Sequence, residues 1–228
     1  MRKAVITADI IHSSKMSIEH REWLLKEIEQ KLETLYKLPP VMESEMYRGD
    51  SFQCQLSTLR LGLRTALILK TFIKSLNPSE VTIVSDKQGI KSQEVFRTKR
   101  IFDVRLSLGL GEVISNSTTI GMSDGEAFQL SGRMLDEMKK HKTSFGISTN
   151  DDFKEELATE SALLDFILFN ATALQCEVIY WKLQGITEIN IAEKLTIQQA
   201  AVNQRSTAGG WQVIEKALKR FETIYAND

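Results

Sequence analysis

The chain has little of what usually marks a secreted, membrane-bound or metal-chelating protein. Its 228 residues include 2 cysteines, 3 histidines and 3 prolines. Cys54 and Cys176 lie far apart and match no metal-ligand spacing, which favours core thiols in a reduced compartment over a disulfide. His12, His20 and His141 form no ligand pattern either; His12 is of interest only because it follows Asp9. No stretch approaches the roughly 18 uninterrupted apolar residues of a membrane span. The first residues read directly into a strand, without the charged, apolar and small-residue order of a secretory signal. A cytoplasmic protein with no membrane partner is the expectation. Neither sign of charge is in excess, the net being −1. The balance is uneven, however: residues 1–150 carry 22 Lys+Arg against 18 Asp+Glu, and residues 151–228 carry 7 against 12. The second half is therefore acidic, which bears on any nucleic-acid role.

An apolar share of 42% is ample for a core, and the length suits one large or two small domains. Residues 3–10 form a β-branched apolar run, a strand. Residues 17–37 carry Ile18, Leu25, Ile28, Leu32 and Leu35 at helical spacing, and Pro39-Pro40 stops that helix. Residues 43–48 and 51–57 read as a hairpin around Gly49-Asp50. A helix over 59–75 presents Leu59, Leu63, Ala66, Leu67 and Phe72 as its inner face. A short strand or the end of a connector at 81–84, a polar loop at 85–98, a strand at 101–114, a helix at 124–141 and a strand at 144–148 follow. From about residue 150 the pattern is wholly helical: one or two helices over 160–184, then 187–195, 198–206 and 211–225, with Asn150-Asp151-Asp152 as boundary and cap. The fold class is α+β: a mixed-sheet domain over 1–150, close to a ferredoxin-like or palm topology, followed by an all-α helix-turn-helix domain over 151–228.

Three segments of the first half carry site chemistry. Asp9 ends a strand and leads through Ile10-Ile11-His12-Ser13-Ser14-Lys15 into a helix, where backbone N–H groups and small hydroxyls at Ser13 and Ser14, with Lys15, favour phosphate. Asp50 stands at a hairpin tip where Gly49 permits a tight turn. Two such carboxylates on neighbouring strand ends suit Mg²⁺ ions on a triphosphate. The third segment runs from Gly125 to Arg133; on a helix Gln129 and Arg133 share a face and present an amide and a guanidinium to developing charge. Each residue also has a plain structural role: an Asp at a strand end caps a turn, and a helix-surface Arg pairs with acids such as Asp136 or Glu137.

In order and spacing, these segments resemble the catalytic domain of the class III nucleotidyl cyclases over roughly residues 1–148. The resemblance rests on Asp9-Ile10, on Gly49-Asp50, on Val104-Arg105-Leu106-Ser107-Leu108-Gly109-Leu110-Gly111, and on the Gly125 to Arg133 run. It implies metal binding by Asp9, Ile10 and Asp50, transition-state contacts from Gln129 and Arg133, and a homodimer, since cyclase-type sites usually form between two chains. The chain departs from the family at four positions. The transition-state Asn falls on Gln129, the first Gly of the third motif on Ser107, and the two base-reading positions on Met46 and Met122. Metal and phosphate positions are kept and the adenine-reading ones are not, which argues against ordinary ATP cyclisation.

In the second half, Ile191 to Val202 reads as a helix-turn-helix. Ala192 is small where two helices cross, and Leu195, Ile197 and Val202 fill the angle between them. The following helix offers Gln199, Asn203, Gln204 and Arg205 to base edges and phosphates. The arrangement resembles sigma-factor region 4 and LuxR-type modules, with Thr196 where the turn glycine usually stands. The acidic charge of this half favours instead a helical bundle for dimerisation or docking. A cyclase-like domain followed by a short helix-turn-helix resembles the SatD family of bacterial proteins. Three readings follow. The first is a bacterial regulator whose metal–nucleotide site, a nucleoside triphosphate with Mg²⁺ or Mn²⁺, modulates DNA binding. The second is an active nucleotidyl enzyme in which Asp9 and Asp50 hold two metal ions that activate a 3′-hydroxyl and bind phosphates. The third is a scaffold with both motifs degenerate.

Overall fold

The computed structural model describes residues 1–36, 41–47, 49–77, 102–114 and 124–228. The elements are β1 (Arg2–Ile10), α1 (Ile18–Tyr36), β2 (Val41–Tyr47), β3 (Ser51–Leu56), α2 (Gly62–Ser75), β4 (Val104–Glu112), α3 (Glu126–His141) and β5 (Phe145–Thr149). They are followed by α4 (Lys154–Asn170), α5 (Ala173–Leu183), α6 (Glu188–Leu195), α7 (Gln199–Ala208) and α8 (Trp211–Ile224). The α+β class is thus as expected. The helix stop at Pro39-Pro40, the strand or connector at 81–84, the loop at 85–98 and Met122 lie outside the described residues. One boundary differs: α4 begins at Lys154, six residues before the expected start, because its first turns are polar and carry no apolar period.

The five described strands form one sheet in the order β2-β3-β1-β4-β5. All pairings are antiparallel except β4 with β5. Strand side chains alternate between faces, and β1 is apolar on both. Ala4, Ile6, Ala8 and Ile10 join the main core with Leu24, Ile28, Leu63 and Leu67 of α1 and α2. Val5 packs on the other face, with Ala127 and Phe128 of α3. Helix α3 rides close to that face because β4 offers Gly109, where an added Cβ would meet the Ala127 carbonyl oxygen at 2.2 Å. Hydroxyls complete this seam: Thr7 Oγ1 and Ser131 Oγ are 2.8 Å apart, and Ser107 Oγ donates to the Ser131 carbonyl at 2.6 Å.

Helix α2 is buried almost all round. Leu59, Leu63, Ala66 and Leu67 turn inward as the spacing predicts, while Phe72 is only half-buried and Lys70 and Lys74 are fully buried. The outer side of α2 is covered by the C-terminal helices, whose Ile179, Leu183, Ile214, Leu218 and Phe221 belong to the same apolar core. Lys70 Nζ donates to Asp103 Oδ1 at 2.7 Å and to the Val104 and Ser144 carbonyls. Lys74 donates to the Leu168 carbonyl near the end of α4 and lies 3.6 Å from Asp103 Oδ2. Burial pushes the Lys70 ammonium down, and Asp103 resists that shift. Burial likewise opposes charge on Asp103, but the two lysines outweigh it and hold that carboxyl below its ordinary range. Asp151, expected to cap α4, accepts from the Phe153 N–H and also ties Arg2 (2.6 Å) to the Tyr225 hydroxyl (2.8 Å).

Candidate functional site

Register brings Asp9 and Asp50 to one end of the sheet. Asp9 is paired across β1 and β3 with Ser51, the residue after Asp50. The Ile10 N–H donates to the Asp50 carbonyl at 2.9 Å, which pins the hairpin tip beside the end of β1. Gly49 supplies the turn at φ +70°. Ser51 Oγ lies 3.4 Å from Asp9 Oδ1 and 3.5 Å from Asp50 Oδ1, so one hydroxyl stands between the two carboxylates. These are long contacts, and one proton serves one acceptor at a time.

The two carboxylates are compensated differently. Asp9 points to the α3 face, as Val5 and Thr7 do. Its Oδ2 meets Arg105 Nη1 of β4 at 3.2 Å and Lys139 Nζ of α3 at 3.7 Å. Asp50 Oδ2 accepts from Ser13 Oγ at 2.8 Å and, among the described residues, has no cationic side chain within ion-pair distance. Ser13 is therefore buried and committed to Asp50, whereas Ser14 and Lys15 are exposed in a short 3-10 turn. That turn is entered through His12 in the left-handed region at φ 61°. Spacing did not identify Ser51, Arg105 and Lys139 as site residues. Arg105 lies in the run Val104 to Gly111, but its contact with Asp9 follows from the β1–β4 register, and Lys139 arrives only because α3 crosses the sheet.

Gln129 and Arg133 do share a helix face, and it is the outer one. Both are exposed; Arg133 Nη2 reaches Gln129 Oε1 at 3.5 Å, and Gln129 Nε2 reaches Asp124 Oδ1 at 3.4 Å. Neither pairs with Asp9 or Asp50. Glu137, a candidate partner for Arg133, is taken by Lys140 at 2.6 Å. Met46, at a base-reading position of the resemblance, packs against the main apolar core. Among the described residues no three His, Cys, Asp or Glu side chains cluster as a metal site. Of the expected metal set, the two carboxylates Asp9 and Asp50 would have to share an Mg²⁺ or Mn²⁺ ion with waters and phosphate oxygens as its remaining ligands.

In the second half Val178, Ile191, Ala192 and Val202 form a small core joining α5, α6 and α7. Thr187 caps α6 and Thr172 closes a capping box on α5. Thr196 makes the turn to α7 at φ 54°, the backbone shape a glycine would take there. Gln199, Asn203 and Gln204 are exposed along α7, whereas Arg205 is half-buried and leans toward Glu177 Oε2 at 3.9 Å. Lys194 lies over the Trp181 ring at 5.0 Å and Lys182 is held by Glu188 at 2.6 Å. The cations of this surface are thus largely engaged within the chain.

No family model, curated protein or solved structure matches the chain. No described helix is long and apolar enough to cross a membrane.

Proposed function

We propose that the chain is a bacterial regulator that binds a metal–nucleoside triphosphate at Asp9 and Asp50 and so modulates DNA engagement by α7. The observation that carries this reading is the convergence of Asp9 and Asp50 around Ser51, 41 positions apart in sequence by their numbers. Mg²⁺ or Mn²⁺ would supply charge neutralisation for phosphate oxygens. The protein's part is to hold the carboxylates at one sheet end, with Arg105 and Lys139 beside Asp9 to meet further phosphate charge. The strand order β2-β3-β1-β4, all antiparallel, supports a ferredoxin-like or palm reading of the first half. The angle of α6 and α7 over Ala192 and Val202 supports a helix-turn-helix in the second. Both supports agree with the SatD-type order of parts. A cytoplasmic setting fits the two free, buried cysteines.

The test is thermal unfolding of the full chain with each nucleoside triphosphate, with and without Mn²⁺. A stabilising shift that disappears in Asp9→Ala and in Asp50→Ala is expected. No shift with any nucleotide would sink the reading. DNA engagement is tested separately by mobility shift with Asn203→Ala and Gln204→Ala as controls.

A second reading, an active nucleotidyl enzyme, draws on the outward Gln129–Arg133 pair. These side chains are free to serve the carboxylates of another copy, so catalysis would require a homodimer. Turnover that Gln129→Ala and Arg133→Ala abolish, with the thermal shift intact, separates enzyme from sensor.

A further inference from the structure

Helix α7 turns a face of one chemical kind outward. Its buried residues are Val202 and Ser206, and Val202 packs on Val178 and Ile191. Just past its end, an added Cβ at Gly209 would meet Ile179 Cδ1 at 2.8 Å, so the same side of the helix rests on α5. On the opposite side Ala200, Asn203, Gln204 and Thr207 recur at i, i+3, i+4 and i+7, and all four are exposed. Gln199, one turn before Asn203, is exposed beside them. None of the five is charged, in a chain that is 26% charged. An outer helix face normally carries charged residues. The one charged residue of α7 is Arg205, which is half-buried and leans toward Glu177 Oε2 at 3.9 Å.

Resting on the proposal that α7 engages DNA, we infer that it recognises a B-form site through A·T pairs, with Gln199, Asn203 and Gln204 on adenines and Ala200 and Thr207 against thymine methyl groups. Each base shows a distinct edge in the major groove. Adenine offers an acceptor at N7 and a donor at N6, and a carboxamide, with one C=O and one NH₂, matches both at once. Guanine offers two acceptors, which call for the paired donors of Arg or Lys. Cytosine offers a donor at N4, which suits Asp or Glu. Thymine carries a methyl group, which Ala and the Thr methyl cover. The outward face of α7 has the adenine and thymine partners and none of the charged partners of guanine and cytosine.

Charge points the same way. Attraction to phosphate is blind to sequence. Residues 151–228 carry 7 Lys+Arg against 12 Asp+Glu. Near α7, Lys182 is held by Glu188 and Lys194 lies over Trp181. With the phosphate contribution small, affinity has to come from base edges, and discrimination between sequences is correspondingly large. Double-stranded RNA does not suit this face, because side chains cannot read its deep, narrow major groove.

Selection by the full chain from duplexes with a random core, at low salt, with and without Mn²⁺ and nucleoside triphosphates, tests the inference. Retained duplexes should share A·T pairs, and replacing one contacted A·T pair by G·C should weaken binding about tenfold. An adenine analogue that lacks N7 but keeps base pairing, 7-deazaadenine, should weaken it similarly at that position. Asn203→Ala should lose the preference at one position, and Asn203→Arg should change it to guanine; both should keep their circular dichroism, since the side chain is exposed. Retention of no duplex under any condition would sink the DNA proposal and this inference with it. Retention without base preference, or with G·C pairs at the contacted positions, would leave DNA engagement standing and overturn the A·T assignment alone. So would an A·T preference that survives both 7-deazaadenine and the triple variant Gln199→Ala, Asn203→Ala, Gln204→Ala, since duplex shape would then be its source.

Discussion

Thr196 holds a backbone shape that suits it poorly. A β-branched residue at φ 54° carries about 1–2 kcal/mol of strain, because its Cβ crowds the neighbouring carbonyl. Its side chain is exposed, so little packing offsets that. Thr196→Gly removes the clash and adds back some unfolded-state entropy. The net expectation is a gain of about 1 kcal/mol, read as a higher urea midpoint with unchanged slope. A lower midpoint would mean that the threonine makes a stabilising contact. Glu160 illustrates the opposite kind of residue, a group whose cost appears only with pH. Burial pushes its carboxyl up to about 7, with Glu156 adding repulsion and Arg220 opposing it, and its Oε1 is buried without a hydrogen-bond partner among the described residues. The folded state therefore favours the protonated acid. Stability from this group is full below the ordinary glutamate range and is lost as pH rises through about 7. Glu160→Gln should match the parent near pH 5 and exceed it at pH 8. Because the side chain is only partly buried, solvent screening reduces the gain to on the order of 1 kcal/mol. Equal differences at both pH values would refute the assignment. The turn at Thr196 was legible in the sequence as a missing glycine. Glu160 was not, because its burial depends on how α8 lies against α4.

Helix α3 shows what positions the carboxylate site at the scale of an element. Its seam with the sheet depends on Gly109, where a methyl group would meet Ala127 O at 2.2 Å, Ser131 N at 2.7 Å and Ser131 Cβ at 2.9 Å. Backbone cannot yield there as a flexible side chain can, so Gly109→Ala should lift α3 and cost about 3 kcal/mol. Gly132 is in the same helix, and an added Cβ there meets nothing within 4 Å. Gly132→Ala should instead stabilise by about 1 kcal/mol through helix propensity. The opposed signs, measured by denaturant unfolding, distinguish a seam from a general intolerance of alanine. Gly109→Ala should also pull Lys139 away from Asp9. The same element shows why the sequence disclosed the site only in part. Asp9-Ile10, Gly49-Asp50 and the run ending at Arg133 are local patterns, visible as spacing. The neutralisation of Asp9 by Arg105 and Lys139 joins three elements and depends on strand register and a helix crossing, which no local pattern encodes. The outward direction of Gln129 and Arg133 was implicit in helical periodicity. The inner face of α3 is Ala127, Phe128, Ser131, Leu135 and Met138, and what remains points away.

Across the whole molecule, the change of pattern at residue 150 marks a change of architecture but not an end to the core. Helix α2 lies between the sheet and the C-terminal helices, which explains why it buries Lys70 and Lys74 where an amphipathic surface helix would expose them. Polar ties cross the same boundary: Lys31 Nζ to the Tyr180 hydroxyl at 2.7 Å, Arg64 to Glu222 at 2.7 Å, and Lys74 to the Leu168 carbonyl. A chain ending at Asn150 would open the outer side of α2 to water. It would also remove the Leu168 carbonyl from Lys74, whose ammonium would then take water in its place. The lost burial of Ile179, Leu183, Ile214, Leu218 and Phe221, about 1.5–3 kcal/mol each, alone approaches the entire stability of an ordinary domain. The fragment 1–150 is therefore expected to lack a cooperative thermal transition and near-ultraviolet circular dichroism. The full chain should unfold in one transition, with calorimetric and van't Hoff enthalpies equal. Two resolved transitions in the full chain, or a fragment that melts cooperatively, would show that the halves are separable. A single transition has a functional consequence. Helix α5 lies against α2, and α2 against the strand that carries Asp9, so a ligand at the carboxylates would act on a body that includes α6 and α7. In a cooperative chain, nucleotide binding must raise the hydrogen-exchange protection of α6 and α7 along with that of β1, whereas in separable halves protection would rise in the first alone.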